Sequence, residues 1–416
     1  MSNRDETEKS LHPETQMMSL GYDPFLSEGA VKPPVFLTST FAFKRAEDGA
    51  AFFTALREKD NNQSGLIYSR FNHPNLQIAE DRIAFYEHGE SAAVFSSGMS
   101  AIATSIIALV KSGDVILRSQ PLYGGTETLI TNTLTSLGIQ TTSFSNGLSL
   151  DSLRAGANAA QALGPVRMIF LETPSNPINT LIDFSLVKQV ASEIEAQQGH
   201  RPVIVCDNTL LGPIYQHPLD YGVDLVLYSL TKYVGGHSDL VAGAAIGEKG
   251  IIDVIRAARS AFGTQLDPHS CWMIGRSLET VSLRMARACE NAHQLATYLA
   301  KHPKVKKLHH PEFITEPDYQ RVYQRQCHGA GSTFSFELVG DRTASFAFLN
   351  KLRVFKLAVS LGGTESLVCH PRSTTHSAVP EDLLDELEIS DSLVRTSIGI
   401  EHPDDLIADL DQALKD

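Results

Sequence analysis

From Glu90 onward, apolar positions fall into a regular rhythm. Six short runs, SAAVFS (91–96), DVILRS (114–119), MIFLET (168–173), PVIVCDN (202–208), DLVLYS (224–229) and VAGAAIG (241–247), alternate with segments of amphipathic, helical spacing. Short buried strands separated by helices predict a mostly parallel sheet covered by helices. Near residue 265 the pattern changes. WMIGRSLETVSLRMARACENAHQLATYLAKH (272–302) reads as a long helical stretch, and STFSFEL (332–338) and FKLAVSL (355–361) alternate like strands of a smaller α+β unit. The expected division is an N-terminal extended segment over 1–70, a large domain over 71–265 and a C-terminal α+β domain over 266–416. Residues 1 to about 20 read as mobile, and REKDNNQSG (57–65) reads as a polar loop.

Composition excludes more than it adds. A 42% hydrophobic fraction in 416 residues supplies a sizeable core. A net charge of −13 without any basic block argues against a nucleic-acid partner. No apolar run approaches the roughly 18 residues of a membrane span, and MSNRDETEKSLHPET at the N-terminus has no apolar signal region. The cysteines, at 206, 271, 289, 327 and 369, lack CxxC or zinc-type spacing, and their odd number fits reduced thiols in a cytoplasmic protein.

Sheets of this kind bind ligands beyond the carboxyl ends of their strands, and here the runs end in SSGMS, ETPSNP, CDNT and SLTK. Lys232 follows an apolar strand, where an amine must either reach water or have its charge tuned; a lysine of depressed pKa forms Schiff bases with aldehydes. Asp207 ends another strand one crossover earlier, a carboxylate suited to keeping a pyridine nitrogen protonated. Ser97, Gly98 and Met99 open the helix that follows a third strand, so their free amides form a phosphate cradle to which Ser229 and Thr231 add hydroxyls. Tyr123, in the glycine-rich PLYGGTET, offers a ring for stacking. Tyr68 and Arg70, in IYSRFNHPN, place a phenol and a guanidinium on one side of an extended segment, a pair suited to a phosphate dianion. Singly, each has a plainer explanation: a snorkelling lysine, a capped helix, a turn aspartate, an exposed edge strand.

Taken together, YSRFNHPN, SSGM, YGGT, ETPSNP, DNT, SLTKYVGGHSD, SLGGTESL, HPRSTTH and VRTSIGIE resemble, in order over roughly residues 30–415, the pyridoxal-phosphate-dependent Cys/Met metabolism family of fold type I. That family includes methionine γ-lyase, cystathionine γ-synthase and the cystathionine lyases. The resemblance implies a seven-stranded-type, mostly parallel sheet domain with a smaller C-terminal domain, and pyridoxal 5′-phosphate as cofactor. Lys232 would bond to the cofactor aldehyde, Asp207 would pair with its ring nitrogen and Tyr123 would stack on the ring. Ser97, Gly98, Met99, Thr209, Ser229 and Thr231 would complete the cofactor site in their own subunit. Tyr68 and Arg70 would serve the phosphate of a neighbouring subunit, in a homotetramer built as a dimer of dimers. Arg395 would bind the substrate carboxylate with Asn176 and Ser360 beside it, and the Tyr123 phenol would protonate a departing thiolate.

Two markers of substrate disagree. Val359, in AVSLGG, stands where the cystathionine enzymes resemble AESLGG, and an apolar side chain there favours the methylthio group of methionine over a distal ammonium. Gly125 stands where methionine γ-lyases carry cysteine. Greater weight on Val359 gives methionine γ-lyase-like elimination as the main expectation. Cystathionine γ-synthase, cystathionine γ-lyase or O-acylhomoserine sulfhydrylase activity is the alternative, and a non-catalytic binding protein is the remote one. Arg372, in HPRSTTH, is expected to place a cation at the site entrance.

Overall fold

The computed structural model describes residues 11–58, 65–377, 379 and 381–415. Seven strands, β1 (Ser91–Phe95), β2 (Val115–Ser119), β3 (Gln140–Phe144), β4 (Val166–Glu172), β5 (Val203–Asp207), β6 (Leu225–Tyr228) and β7 (Gly243–Gly247), form one sheet in the order β1-β7-β6-β5-β4-β2-β3. Pairing is parallel from β6 through β5, β4 and β2 to β3, whereas β7 runs antiparallel to both β1 and β6. The carboxyl ends of β1, β2, β4, β5 and β6 therefore meet at one rim, and β7 begins there, with Phe95 opposite Gly243 and Tyr228 opposite Ala244.

The apolar runs lack polar alternation because both faces of the sheet are covered. Val94, Leu117, Ile169, Leu171, Ile204 and Val226 enter one core layer, while their chain neighbours Phe95, Ile116, Phe170, Val205 and Leu227 enter the other. This is the two-residue period of a strand divided between two interiors. A buried charge cluster fixes the cradle end of β1. Glu80, on helix Pro74–Tyr86, accepts from Val94 N at 3.0 Å and pairs with Arg259 at 2.5 Å and Arg256 at 2.8 Å on helix Lys249–Phe262.

The second sheet comprises β8 (Val305–His309), β9 (Thr333–Leu338), β10 (Lys356–Leu357), β11 (Leu367–Cys369) and β12 (Leu393–Ser397), ordered β10-β11-β12-β9-β8. Helix Val281–Leu299 joins the two bodies: Val281 and Met285 pack in the large core, and Ala292, Leu295 and Leu299 in the small one. Helix Pro268–Leu278 also belongs to the large core through Cys271, Ile274 and Leu278. Among the described residues no helix is long and apolar enough to cross a membrane.

The expected mobility of residues 1 to about 20 is corrected in part. Pro13–Gln16 is helical and Met17 is buried in the large core, which anchors this stretch, whereas residues 1–10 lie outside the described residues. Arg57 and Glu58 end the helix Ala46–Glu58, and the rest of the expected polar loop, 59–64, lies outside the described residues.

Candidate active site

The rim of the large sheet gathers most of the expected residues. Ser97 caps helix Gly98–Leu109, its Oγ accepting from Ser100 N at 3.0 Å, and the first intrahelical amide is that of Ala101, bonded to Ser97 O. The amides of Gly98 and Met99 thus precede the helical ladder and point out of its N-terminus. Glycine is required at 98 by close approach: a Cβ there would lie 2.9 Å from the Ser229 Cβ. Ser229 N is held by Thr209 Oγ1 at 2.9 Å, and Thr209 N donates to Asp207 Oδ1 at 3.0 Å. One threonine therefore ties the expected phosphate and ring-nitrogen positions together.

Thr231 behaves differently. Its Oγ1 donates to Ala242 O at 3.1 Å and accepts from Ala242 N at 3.0 Å, so it locks the turn that carries Lys232 and has no free proton to offer the cradle. Tyr68 and Arg70 lie elsewhere in the chain. Tyr68 is half-exposed beside Thr40, and Arg70 donates to Ser260 O at 2.6 Å with its guanidinium over the Phe71 ring.

Lys232 is mostly buried in the turn after β6, and its Nζ donates to Ser360 Oγ at 3.2 Å. Burial lowers its pKa, and the positive charge of Arg395 lowers it further. Arg395, on β12, is 2% exposed; its Nη2 donates to the carbonyls of Val359 at 2.8 Å and Ser360 at 2.9 Å, and its Nη1 to Asn176 Oδ1 at 3.2 Å. Its Nε is buried with no partner among the described residues. A buried guanidinium held on one side by neutral acceptors, and facing no carboxylate among the described residues, suits an incoming substrate carboxylate. Beside it lies His376, whose pKa burial and then Arg395 lower to about 4, so the ring is neutral.

Three acids lie under this rim. Asp207 is buried, and burial raises its pKa against the pull of Thr209. Glu172 faces it across the β4–β5 pairing and is pushed up to about 8, first by burial and then by the charge of Asp207. Glu127, also raised by burial, pairs with Arg118 at 2.7 Å. Two facing buried carboxyls with no cation of their own among the described residues fit a ligand whose ring nitrogen carries a positive charge. Asp207, the Gly98–Ser229 cradle and the buried amine of Lys232 thus match the three polar ends of pyridoxal 5′-phosphate.

The sequence profile of Cys/Met metabolism PLP-dependent enzymes matches residues 14–415. The chain belongs to this family. It is a pyridoxal-phosphate-dependent enzyme of sulfur amino-acid metabolism, as the residue pattern implied. An L-methionine gamma-lyase of Pseudomonas putida is 38% identical over 403 residues, 96% of each chain. A cystathionine beta-lyase of Bacillus subtilis is 35% identical over 413 residues, 98% of each chain. Among solved structures, a cystathionine gamma synthase of Xanthomonas oryzae pv. oryzae superposes with a TM-score of 0.86 at 32% identity, covering 97% of this chain and 98% of its own.

One expectation within the family site is overturned. Arg372 puts no free cation at the entrance: its Nη1 donates to Asp385 Oδ1 at 2.6 Å and to Ile389 O at 2.9 Å, because the acidic segment after residue 380 competes for the guanidinium. Glu172 and His376 were missed as site residues, though both stand within quoted motifs. Glu172 had a usable signal, since it ends a buried strand as Asp207 does.

Proposed function

We propose that this enzyme catalyses α,γ-elimination on L-methionine or a closely related substrate, consuming water and releasing 2-oxobutanoate, ammonia and a thiol. The carrying observation is the substrate rim at Val359: an apolar side chain, 58% exposed, whose carbonyl is held by the carboxylate-binding Arg395. With Arg372 internally paired, neither an acid at 359 nor a free cation at 372 is there to select a charged distal group. Relatives named L-methionine gamma-lyase, at 34–38% identity, support this reading.

Lys232, Asp207, Thr209, Ser229 and the amides of Gly98 and Met99 would hold the cofactor, and Tyr123 would cover its ring. When bound, pyridoxal 5′-phosphate supplies an aldehyde for the amino group and an electron-withdrawing ring that acidifies the substrate Cα proton. Arg395, Asn176 and Ser360 orient the substrate through its carboxylate. Lys232 Nζ, its pKa lowered by burial and then by Arg395, removes the Cα proton and carries protons between carbons. Proton removal at Cβ then lets the γ-substituent depart, and the Tyr123 phenol protonates the leaving thiolate. Thr231 serves by fixing the lysine turn.

Tyr68 and Arg70 belong, in this reading, to the site of a second subunit, since neither is held at the cradle of its own. Residues 1–70 would form inter-subunit contacts, and Phe25, Leu26, Val31 and Leu37, each more than 70% exposed, support that role. The assembly is a homotetramer with shared sites, and the location is cytoplasmic. The alternative, γ-replacement as in cystathionine γ-synthase, rests on Gly125.

The test offers L-methionine, L-cystathionine and O-acetyl- or O-succinylhomoserine, with and without cysteine or sulfide, and measures 2-oxobutanoate against thioether product. Elimination from methionine is expected to dominate, and Val359→Glu is expected to shift preference towards cystathionine. Thioether as the main product, or an unmoved preference, would sink the assignment.

A further inference from the structure

Glu172 ends β4 at the rim and is 6% exposed. Its backbone amide donates to Ser119 Oγ at 3.1 Å, at the end of β2. Its carboxyl spans two loops: Oε2 accepts the amide of Tyr123 at 2.6 Å, and Oε1 accepts the amide of Asn176 at 3.1 Å. The first loop bears the ring that covers the cofactor. The second bears the amide side chain that Arg395 grips at 3.2 Å. Across the sheet, Glu172 stands opposite Asp207.

We propose that Glu172 is a positioning residue that sets the spacing between the ring-stacking loop and the carboxylate-binding loop by accepting one backbone amide from each on its two oxygens. The inference rests on the roles assigned to Tyr123 and Asn176. Two N–H donors aimed at separate oxygens require an acceptor at each, which a carboxyl side chain provides and an amide side chain does not. Burial and Asp207 oppose that charge, and a cationic ring nitrogen beside the pair offsets the opposition. Occupancy by the cofactor and the setting of the two loops are therefore linked through one side chain. A plain core acid would need neither amide.

Glu172→Gln preserves shape and leaves one acceptor oxygen, so one of the two amides faces an NH2 group and loses its partner. In holoenzyme without substrate, the circular dichroism of the visible cofactor band is expected to change about twofold or more as the Tyr123 ring shifts. With substrate, KM is expected to rise and kcat/KM to fall about tenfold or more. Glu172→Asp, which keeps the charge but draws both oxygens back, is expected to move the same signals and serves if the glutamine variant does not fold. A lowered melting temperature with an unchanged band and unchanged kinetic constants in either folded variant overturns the proposal. Tyr123→Ala and Asn176→Ala are made in parallel. If they leave the band and KM unmoved, the assignment of the site fails rather than the role of Glu172.

Discussion

The Nζ of Lys232 lies 3.2 Å from the Oγ of Ser360, a residue 128 positions further along the chain. Lys232 belongs to the large sheet's rim, whereas Ser360 precedes β11 of the second sheet, and the Ser360 carbonyl takes the guanidinium of Arg395. The amine proposed to transfer protons and the cation proposed to bind the carboxylate are thus held in one frame by a single serine. Ser360→Ala removes the acceptor of the amine and leaves the carbonyl contact intact. With a hydrogen bond of about 1 kcal/mol lost, kcat/KM is expected to fall several-fold, mainly through kcat. Steady-state kinetics on the elimination reaction check this; an effect confined to KM would contradict it.

Gly125 is constrained by the ring it sits under. A Cβ at this position would lie 2.7 Å from Tyr123 Cε1 and 3.2 Å from Met99 Sδ. Gly125→Ala is therefore expected to push the ring away from the position proposed for stacking and lower kcat about tenfold or more, since orienting the reacting centre is the role proposed for the ring. Wild-type turnover in a folded variant would show that the ring has room to spare.

Acid stability follows from buried neutral histidines. Burial lowers the pKa of His376 and of His217 to about 4, and that of His310 to about 3, against an ordinary value of 6.5. The unfolded chain binds these protons first, so the stability they contribute is complete above pH 6.5 and is lost as pH falls towards the folded values. Between pH 7 and pH 5, His376 alone is expected to cost about 2 kcal/mol. Denaturant unfolding at the two values measures the loss, and His376→Gln should reduce it. An equal loss in the variant would place the dependence elsewhere.

Much of the site was legible because strand ends carry the chemistry in this fold. DLVLYS followed by a lysine, and PVIVCD ending in an acid, are readable without coordinates once a parallel sheet is inferred. Glu172 went unread because the role proposed for it lies in two backbone amides, of Tyr123 and Asn176, that sequence spacing does not bring together. Arg372 was misjudged for the converse reason. Its partner Asp385 lies in a following segment whose docking is a matter of packing, so a charge that looked available is consumed.

The sequence by itself determined the alternation of buried strands and helices, and with it the rim where Lys232, Asp207 and the Gly98 cradle meet. Periodicity and strand-end residues are local properties. Only the tertiary structure decided which polar groups remain free. Arg395 keeps an unpartnered Nε while Thr231 spends its hydroxyl on Ala242, and Glu172 holds two loops at once. Availability of a hydrogen-bonding group depends on every other group within about 3 Å, and those neighbours come from distant parts of the chain.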